Sequence, residues 1–197
     1  MDTVDVSRAD LLKRVARFAD LTRCIGGFPD SDLPGCERAL LNVIGFDPPD
    51  EVADGDGEGD GSKVISPAGA NASQVSAIPI AEGFNLAFVE CLPGSGTISH
   101  HHDTNETFVV VSGTWRFTWN DADDEHIDLG PLDTVSFPIG VSRRFTCLTS
   151  QSGARDEPAL LLGVVAGYKP RAFVRPDFLE EAKRNGKFTP VIDRVLS

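Results

Sequence analysis

Apolar positions divide the chain into a short helical start, a long middle part made of strand-like runs, and a helical end. Ser7 and Asp10 have the spacing of a helix N-cap. The apolar positions that follow them at helical spacing are Leu11, Leu12, Val15, Phe18 and Ala19. Near the other end, Pro176 opens a second helical pattern that closes before Gly186. These patterns predict one amphipathic helix at each end of the chain.

Between the helical ends, the apolar residues occur in short runs separated by turn residues. The run Ala39–Ile44 is bounded by helix-breaking residues and predicts a buried strand. From about residue 76 such runs follow at close spacing, with Ser112 and Gly113 as a tight hairpin turn between two of them. So many short strands require a closed or double sheet, which predicts a barrel or sandwich. The runs are Ile78–Pro79, Phe84–Cys91, Ile98–His102, Thr107–Val111, Thr114–Trp119, His126–Leu129, Thr134–Phe137, Arg144–Leu148 and Ala159–Ala166.

Length and composition favour one domain with appended arms. The chain has 197 residues, 41% of them hydrophobic, and a chain of this size forms one core that buries roughly 70% of its surface. Residues 46–63 hold seven acidic side chains and one lysine among glycines and prolines, a composition too polar to bury. We therefore predict an N-terminal helix and strand arm (1–45), a flexible acidic loop (46–75), a barrel (76–168) and a C-terminal helical arm (169–197).

The charge of the chain excludes several classes of partner. With 18 basic against 30 acidic residues the net charge is −12, so nucleic acids and anionic membranes are not expected partners. No apolar stretch is long enough to span a bilayer, and the N-terminus lacks the pattern of a secretory signal, so we expect a cytoplasmic protein. The four cysteines form no closely spaced pair, and free thiols are expected.

Three of the four histidines lie in one segment, GSGTISHHHDTNETFVVVSG, over residues 94–113. Alternate side chains of a strand share a face, so His100 and His102 point to one side and His101 to the other. Glu106 can bring a carboxylate to the same point from the start of the next strand. Two imidazoles and a carboxylate form a facial ligand set that leaves coordination positions open, so we predict one divalent metal ion at this site. The ligand types favour Fe(II) first, and Mn, Ni and Zn also fit them.

The spacing of this segment resembles the first motif of the cupin superfamily. It reads Gly94-x5-His100-x-His102-x3-Glu106-x6-Gly113 without a gap. The stretch Asp133-x4-Pro138-x-Gly140 is similar to the second motif of the cupin superfamily. That second stretch departs from the family at three positions: Leu132 replaces a glycine, Arg143 replaces the fourth-ligand histidine, and Cys147 replaces an asparagine.

The resemblance implies an all-β fold, a single cupin β-barrel of the double-stranded β-helix, jelly-roll type, with helices flanking it at both ends. It also implies a homodimer, as in many small cupins. The barrel edge of the partner would then be covered by the segment Ala39–Ile44 or by the helix from Phe178.

Arg143 leaves two alternatives open at the predicted site. A guanidinium does not ligate a divalent cation, so Arg143 either anchors an anionic substrate group or pairs with Glu106. The resemblance implies a metal-dependent, dioxygenase-like enzyme. Its substrate, a small anionic or enolisable organic molecule, is the expected partner. The alternatives are a metal-assisted lyase or isomerase and a non-catalytic module that binds or senses a small molecule.

Overall fold

A computed structural model describes residues 2–26, 28–45, 63–67 and 75–185. Within these ranges the chain is mostly β, with twelve strands, two α-helices and one 3-10 helix. The α-helices are α1 (Arg8–Leu12) and α2 (Pro176–Asn185), and the 3-10 helix is Phe18–Asp20. The strands are β1 (Arg23–Ile25), β2 (Ala39–Ile44), β3 (Lys63–Ile65), β4 (Phe84–Cys91), β5 (His101–His102), β6 (Glu106–Val110), β7 (Thr114–Trp119), β8 (Glu125–Leu129), β9 (Thr134–Phe137), β10 (Arg143–Thr149), β11 (Ala159–Ala166) and β12 (Ala172–Val174).

The strands form three antiparallel sheets. The largest has the order β1-β2-β4-β11-β6-β9, the second β10-β7-β8 and the third β3-β12-β5. In β11 the burial of side chains alternates along the whole strand, as one buried face requires. The predicted all-β barrel with flanking helices is confirmed, and the helices are minor, with five residues in α1 and ten in α2.

Several sequence runs form strands at the predicted bounds, namely Ala39–Ile44, Phe84–Cys91, Thr114–Trp119, Thr134–Phe137 and Ala159–Ala166. The run Ile98–His102 differs, because only its last two residues form a strand, β5. Ile78 makes an isolated bridge to Ile44 and no strand.

The N-terminal helix begins as predicted and ends early. Ser7 caps it, since its Oγ accepts a hydrogen bond from the Asp10 amide. The helix ends at Leu12 and buries none of its residues. Phe18 instead belongs to the 3-10 helix, and its ring packs edge-on against Phe88 of β4 at 5.1 Å. The chain therefore meets the barrel through Phe18, after the helix has ended.

The predicted acidic loop contains one strand. Lys63–Ile65, inside residues 46–75, forms β3 and pairs with β12. Three residues are too few to show a period in the sequence, so the pattern gave no sign of this strand. Residues 46–62 and 68–74 of the same segment lie outside the described residues.

The hydrophobic core joins the six-stranded sheet to the β10-β7-β8 sheet. Phe108 of β6 lies at its centre, with ring centroids 5.4 Å from Phe117 and Phe145 and 6.5 Å from Phe137. Trp115 is fully buried in the same cluster. All four cysteines are free, as expected. In the described ranges, no helix has the length and apolar character of a membrane span.

Candidate metal centre

The segment that carries the two histidines is held by two sheets. Gly96 bridges Thr146 of β10, and His100 exchanges both backbone hydrogen bonds with Arg143, at 3.0 and 2.9 Å. His102 then pairs with Ala172 of β12. The approach at Gly96 is so close that a β-carbon there would lie 1.9 Å from the carbonyl oxygen of Phe145. Glycine is therefore required where the segment passes over β10.

The structure brings the three predicted ligands together. One side-chain atom from each of His100, His102 and Glu106 lies within 4.8 Å of the other two. His102 and Glu106 are buried, with Nε2 of the one 3.9 Å from Oε2 of the other. His101 has the opposite orientation, as strand alternation predicts, and its ring stacks on Phe173 with the centroids 4.9 Å apart.

Both inward-facing imidazoles are neutral at physiological pH. Burial, together with the positive charge of Arg143, lowers the pKa of His100 to about 3. Burial first, and then the positive charge of Arg143, also hold the pKa of His102 well below its usual value. Neutral imidazole is the form that ligates a metal, so these rings require no deprotonation to bind one.

The ring nitrogens are in different environments. His100 Nδ1 lies 3.0 Å from the carbonyl oxygen of Ile98. A carbonyl only accepts, so Nδ1 carries the proton and Nε2 has a free lone pair. His102 Nδ1 is buried and has no hydrogen-bond partner in the part of the chain that the structure describes. His102 Nε2 is the nitrogen that faces Glu106, and two neutral imidazoles beside a carboxylate are a donor set that fits a divalent cation.

Arg143 competes with a metal ion for the carboxylate of Glu106. Its Nε and Nη2 both donate to the same oxygen, Glu106 Oε2, at 3.1 and 2.7 Å, and its side chain is 1% exposed. Nη1 donates to the carbonyl of Val141 at 3.3 Å. Of the two sequence alternatives, the structure contains the ion pair with Glu106. The role of substrate anchor stays a prediction, because Arg143 is not among the described residues that line the cavity.

A cavity opens over the three ligands. It is partly open to solvent, and most of its wall is apolar. Its lining residues fall into a polar group of His100, His102, Glu106, Asp30, Arg38, Asn85 and Thr97, and a larger group that includes Phe28, Leu40, Val89, Phe108, Phe145 and Val165.

Sequence reasoning missed a charged pair that lies in this wall. Arg38 donates through Nη1 and Nη2 to the two carboxylate oxygens of Asp30, at 3.1 and 2.9 Å. Both side chains are more than nine-tenths buried, and the guanidinium lies 4.4 Å from the centre of the Phe28 ring. In the sequence Asp30 lies among turn-forming glycines, prolines and aspartates, so no signal separated it from its neighbours.

Residues 87–155 match a protein family described as "Cupin domain". No curated protein sequence matches the chain. Among solved structures, the polyketide cyclase RemF from Streptomyces resistomycificus is 16% identical with a TM-score of 0.53, and the match covers 87% of this chain and 94% of that one. At this identity the likeness is one of fold.

Two other similar structures match less completely. Vicilin from hazelnut, Corylus avellana, is 12% identical with a TM-score of 0.47, and the match covers 81% of this chain but 36% of the vicilin chain. A structure from work on the DMSP lyases RdDddP and RnDddQII is 16% identical with a TM-score of 0.48, with coverage of 77% of this chain and 61% of that one.

Proposed function

Residues 87–155 match the cupin domain, and from that premise we propose that the chain is a metal-dependent enzyme acting on a small anionic or enolisable organic molecule. The reaction we propose first is dioxygenase-like. The observation that carries the proposal is the meeting of His100, His102 and Glu106 within 4.8 Å at the wall of one cavity. Three protein ligands leave coordination positions for a substrate, as catalysis at a metal requires.

The charges around the cavity support an anionic ligand. Arg143 balances Glu106, Arg38 balances Asp30, and both histidines are neutral. The protein groups therefore add no net charge, and a divalent ion would leave the cavity with an excess of two positive charges. Carboxylates and enolates match that excess best.

The protein's own groups have separate roles in this proposal. His100, His102 and Glu106 would hold the ion, which when bound supplies Lewis acidity and, if it is iron, redox chemistry. Arg143 orients Glu106 by occupying Oε2 through two donors. The apolar wall around Phe108 excludes water from the substrate, which strengthens each electrostatic contact there.

Two other candidate functions remain. If the ion acts only as a Lewis acid, the same site would perform a lyase or isomerase reaction. The Arg143–Glu106 pair favours the other candidate, a metal-free pocket that binds or senses a small molecule, because the guanidinium already neutralises the carboxylate.

Metal content and oxygen uptake distinguish these functions. The protein is expressed and purified without added metal, and iron, manganese, nickel and zinc are measured per chain, with His102→Ala as the ligand variant. The proposal expects close to one ion per chain in the wild type and little in the variant. The metal-loaded protein is then incubated with 2-oxo acids and 1,3-diketones in an oxygen electrode. Substrate loss with oxygen uptake supports the oxygenase, substrate loss without uptake supports the lyase or isomerase, and absence of metal supports the binding module.

We also propose that the protein is a homodimer. β1 is at the edge of the six-stranded sheet, and Ile25 on it is 82% exposed. The apolar side chains of Leu11 and Leu12 in the preceding segment are about half exposed, at 56% and 52%. In the part of the chain that the structure describes, β1 has no strand on its outer side, and an open edge together with exposed apolar side chains favours pairing with a second copy. Light scattering at micromolar concentration should give twice the chain mass, and a monomeric mass would contradict this proposal.

A further inference from the structure

We propose that Asp30 is a positioning residue for the metal centre. Its carboxylate, held by Arg38, fixes the backbone N–H of Ile98, and the backbone carbonyl of Ile98 fixes the ring of His100. The relevance to a metal rests on the proposed function, whereas the fixing of the ring can be tested with no metal present.

The hydrogen bonds form one continuous chain. Arg38 donates to both oxygens of Asp30, at 3.1 and 2.9 Å. Asp30 Oδ2 accepts from the backbone N–H of Ile98 at 3.2 Å. The carbonyl of the same residue accepts from His100 Nδ1 at 3.0 Å. The acid and the imidazole thus contact opposite ends of a single residue.

Ile98 needs this partner because of where it lies. Its neighbours are held by β10: Thr97 N–H donates to the carbonyl of Phe145, and His100 exchanges two backbone bonds with Arg143. The N–H of Ile98 faces the other way and is satisfied by the side chain of Asp30. Ile98 is 3% exposed, so water does not substitute for that acceptor.

Arg38 gives Asp30 its own fixed orientation. Besides the two bonds to the carboxylate, its Nη1 donates to the carbonyls of Cys36 and Gly96, at 2.9 and 3.3 Å. The guanidinium is therefore tied to the start of the segment that carries the histidines as well as to its own loop. A hydrogen-bonded group behind a metal-ligating imidazole sets the tautomer and the direction of the free lone pair.

The first experiment determines the tautomer of the His100 ring directly. Two-bond ¹H–¹⁵N correlation spectra of the metal-free wild type should show His100 protonated at Nδ1 and unprotonated at Nε2. The opposite tautomer in the wild type would overturn the inference, whatever any variant does. Because the wild type is sufficient for this step, the result does not depend on the folding of a substituted chain.

The second experiment uses variants. Asp30→Ala removes the acceptor and should give a mixture of His100 tautomers, whereas Asp30→Asn keeps an acceptor oxygen and should restore the wild-type spectrum. Asp128→Ala is the matched control, because Arg116 donates to both Asp128 oxygens at 2.7 and 2.8 Å on β7 and β8. The control should leave the His100 spectrum unchanged. A folded Asp30→Ala protein with the wild-type tautomer would refute the role of Asp30.

The third measurement is calorimetric titration with Co²⁺. Loss of a residue that supports a metal ligand usually weakens metal binding by about 10- to 100-fold. The Asp30→Ala variant should therefore bind Co²⁺ about 10- to 100-fold more weakly than the wild type, and the control variant should bind it as tightly as the wild type does. Equal affinity in Asp30→Ala would overturn the link to the metal. If the wild type binds no Co²⁺, the proposed function fails, and the tautomer spectra still decide whether Asp30 positions His100.

Discussion

Removal of the Arg143 guanidinium should make the stability of the protein depend on metal. In the Arg143→Leu variant, Glu106 loses both donors to Oε2 and is left as a buried carboxylate with no cation beside it. A divalent ion can then take the place of the guanidinium. The variant should therefore be much less stable than the wild type without metal and should recover when metal is added.

The size of the effect follows from the geometry of the pair. The Nη2 to Oε2 distance is 2.7 Å, and the side chains are 1% and 9% exposed. At an effective dielectric constant of 20 this attraction is about 6 kcal/mol, part of which is offset by desolvation. Loss of one partner of a buried pair typically costs about 3–5 kcal/mol. For a chain of this length that corresponds to a fall of roughly 6–20 °C in Tm.

Thermal unfolding with EDTA and with Co²⁺ measures both parts of this prediction. Arg144→Leu is the control, because Arg144 is the next residue of β10 and pairs with Asp123 at 2.9 Å, with side chains 24% and 20% exposed. It should lose far less stability, and its response to Co²⁺ should equal that of the wild type. Calorimetry should show that Arg143→Leu binds Co²⁺ one to two orders of magnitude more tightly, since about one unit of positive charge has been removed from the site.

The reasoning is refuted if Arg143→Leu unfolds at the wild-type temperature in EDTA, or if Co²⁺ stabilises both proteins equally. Arg143→His extends the test, because an imidazole at this position would add a fourth ligand in place of a competing cation. It should bind Co²⁺ more tightly and small carboxylates more weakly than the wild type. If carboxylate binding is unchanged in calorimetry, Arg143 does not anchor an anionic group.

Three further predictions concern strain, strand register and pH. Leu132 has φ +73° and is 83% exposed. In a urea titration, Leu132→Gly should relieve the left-handed strain and stabilise the protein by about 0.5–1 kcal/mol. The control Ile139→Gly, at another exposed position, should destabilise the protein in the same titration. His102→Ala should abolish Co²⁺ binding, whereas His101→Ala should leave it nearly intact, and equal losses in calorimetry would mean that the register is wrong. As the pH falls below 6.5, the ordinary pKa of histidine, the unfolded chain takes up protons that the folded chain does not. The free energy of unfolding should therefore decline towards pH 3 by up to about 1.4 kcal/mol per pH unit for each inward-facing ring. The decline should be less steep in His100→Asn.

The sequence predicts best what depends on local spacing. Two histidines separated by one residue share a face of any extended segment, so the meeting of His100 and His102 required no knowledge of the fold. The bounds of the long strands followed from runs whose burial alternates, as in β11. Leu132 could be singled out as a departure from the family motif, and its left-handed backbone gives the physical reason for the usual glycine.

Contacts between distant segments could not be predicted in this way. Asp30 and Ile98 are 68 residues apart in the chain, and only the folded sheet brings them within 3.2 Å. The choice between two partners for Arg143 was likewise undecided, because both alternatives use the same residue at the same motif position. The structure contains the pair with Glu106 since β6 and β10 present the two side chains to each other in a buried space.

The strand order of the large sheet has a consequence for how the site assembles. β7 and β8 pair through a short turn, with Trp119 opposite Glu125, so this hairpin forms from local contacts. Two pairings within the large sheet join distant parts of the chain: Cys91 pairs with Ala159, and Val110 with Leu161. We expect these pairings to close late in folding, because loop entropy opposes them. Asp30 and Ile98, 68 residues apart in the chain, would then meet only near the end of folding, so the ring of His100 would be fixed by Asp30 only after the barrel has closed.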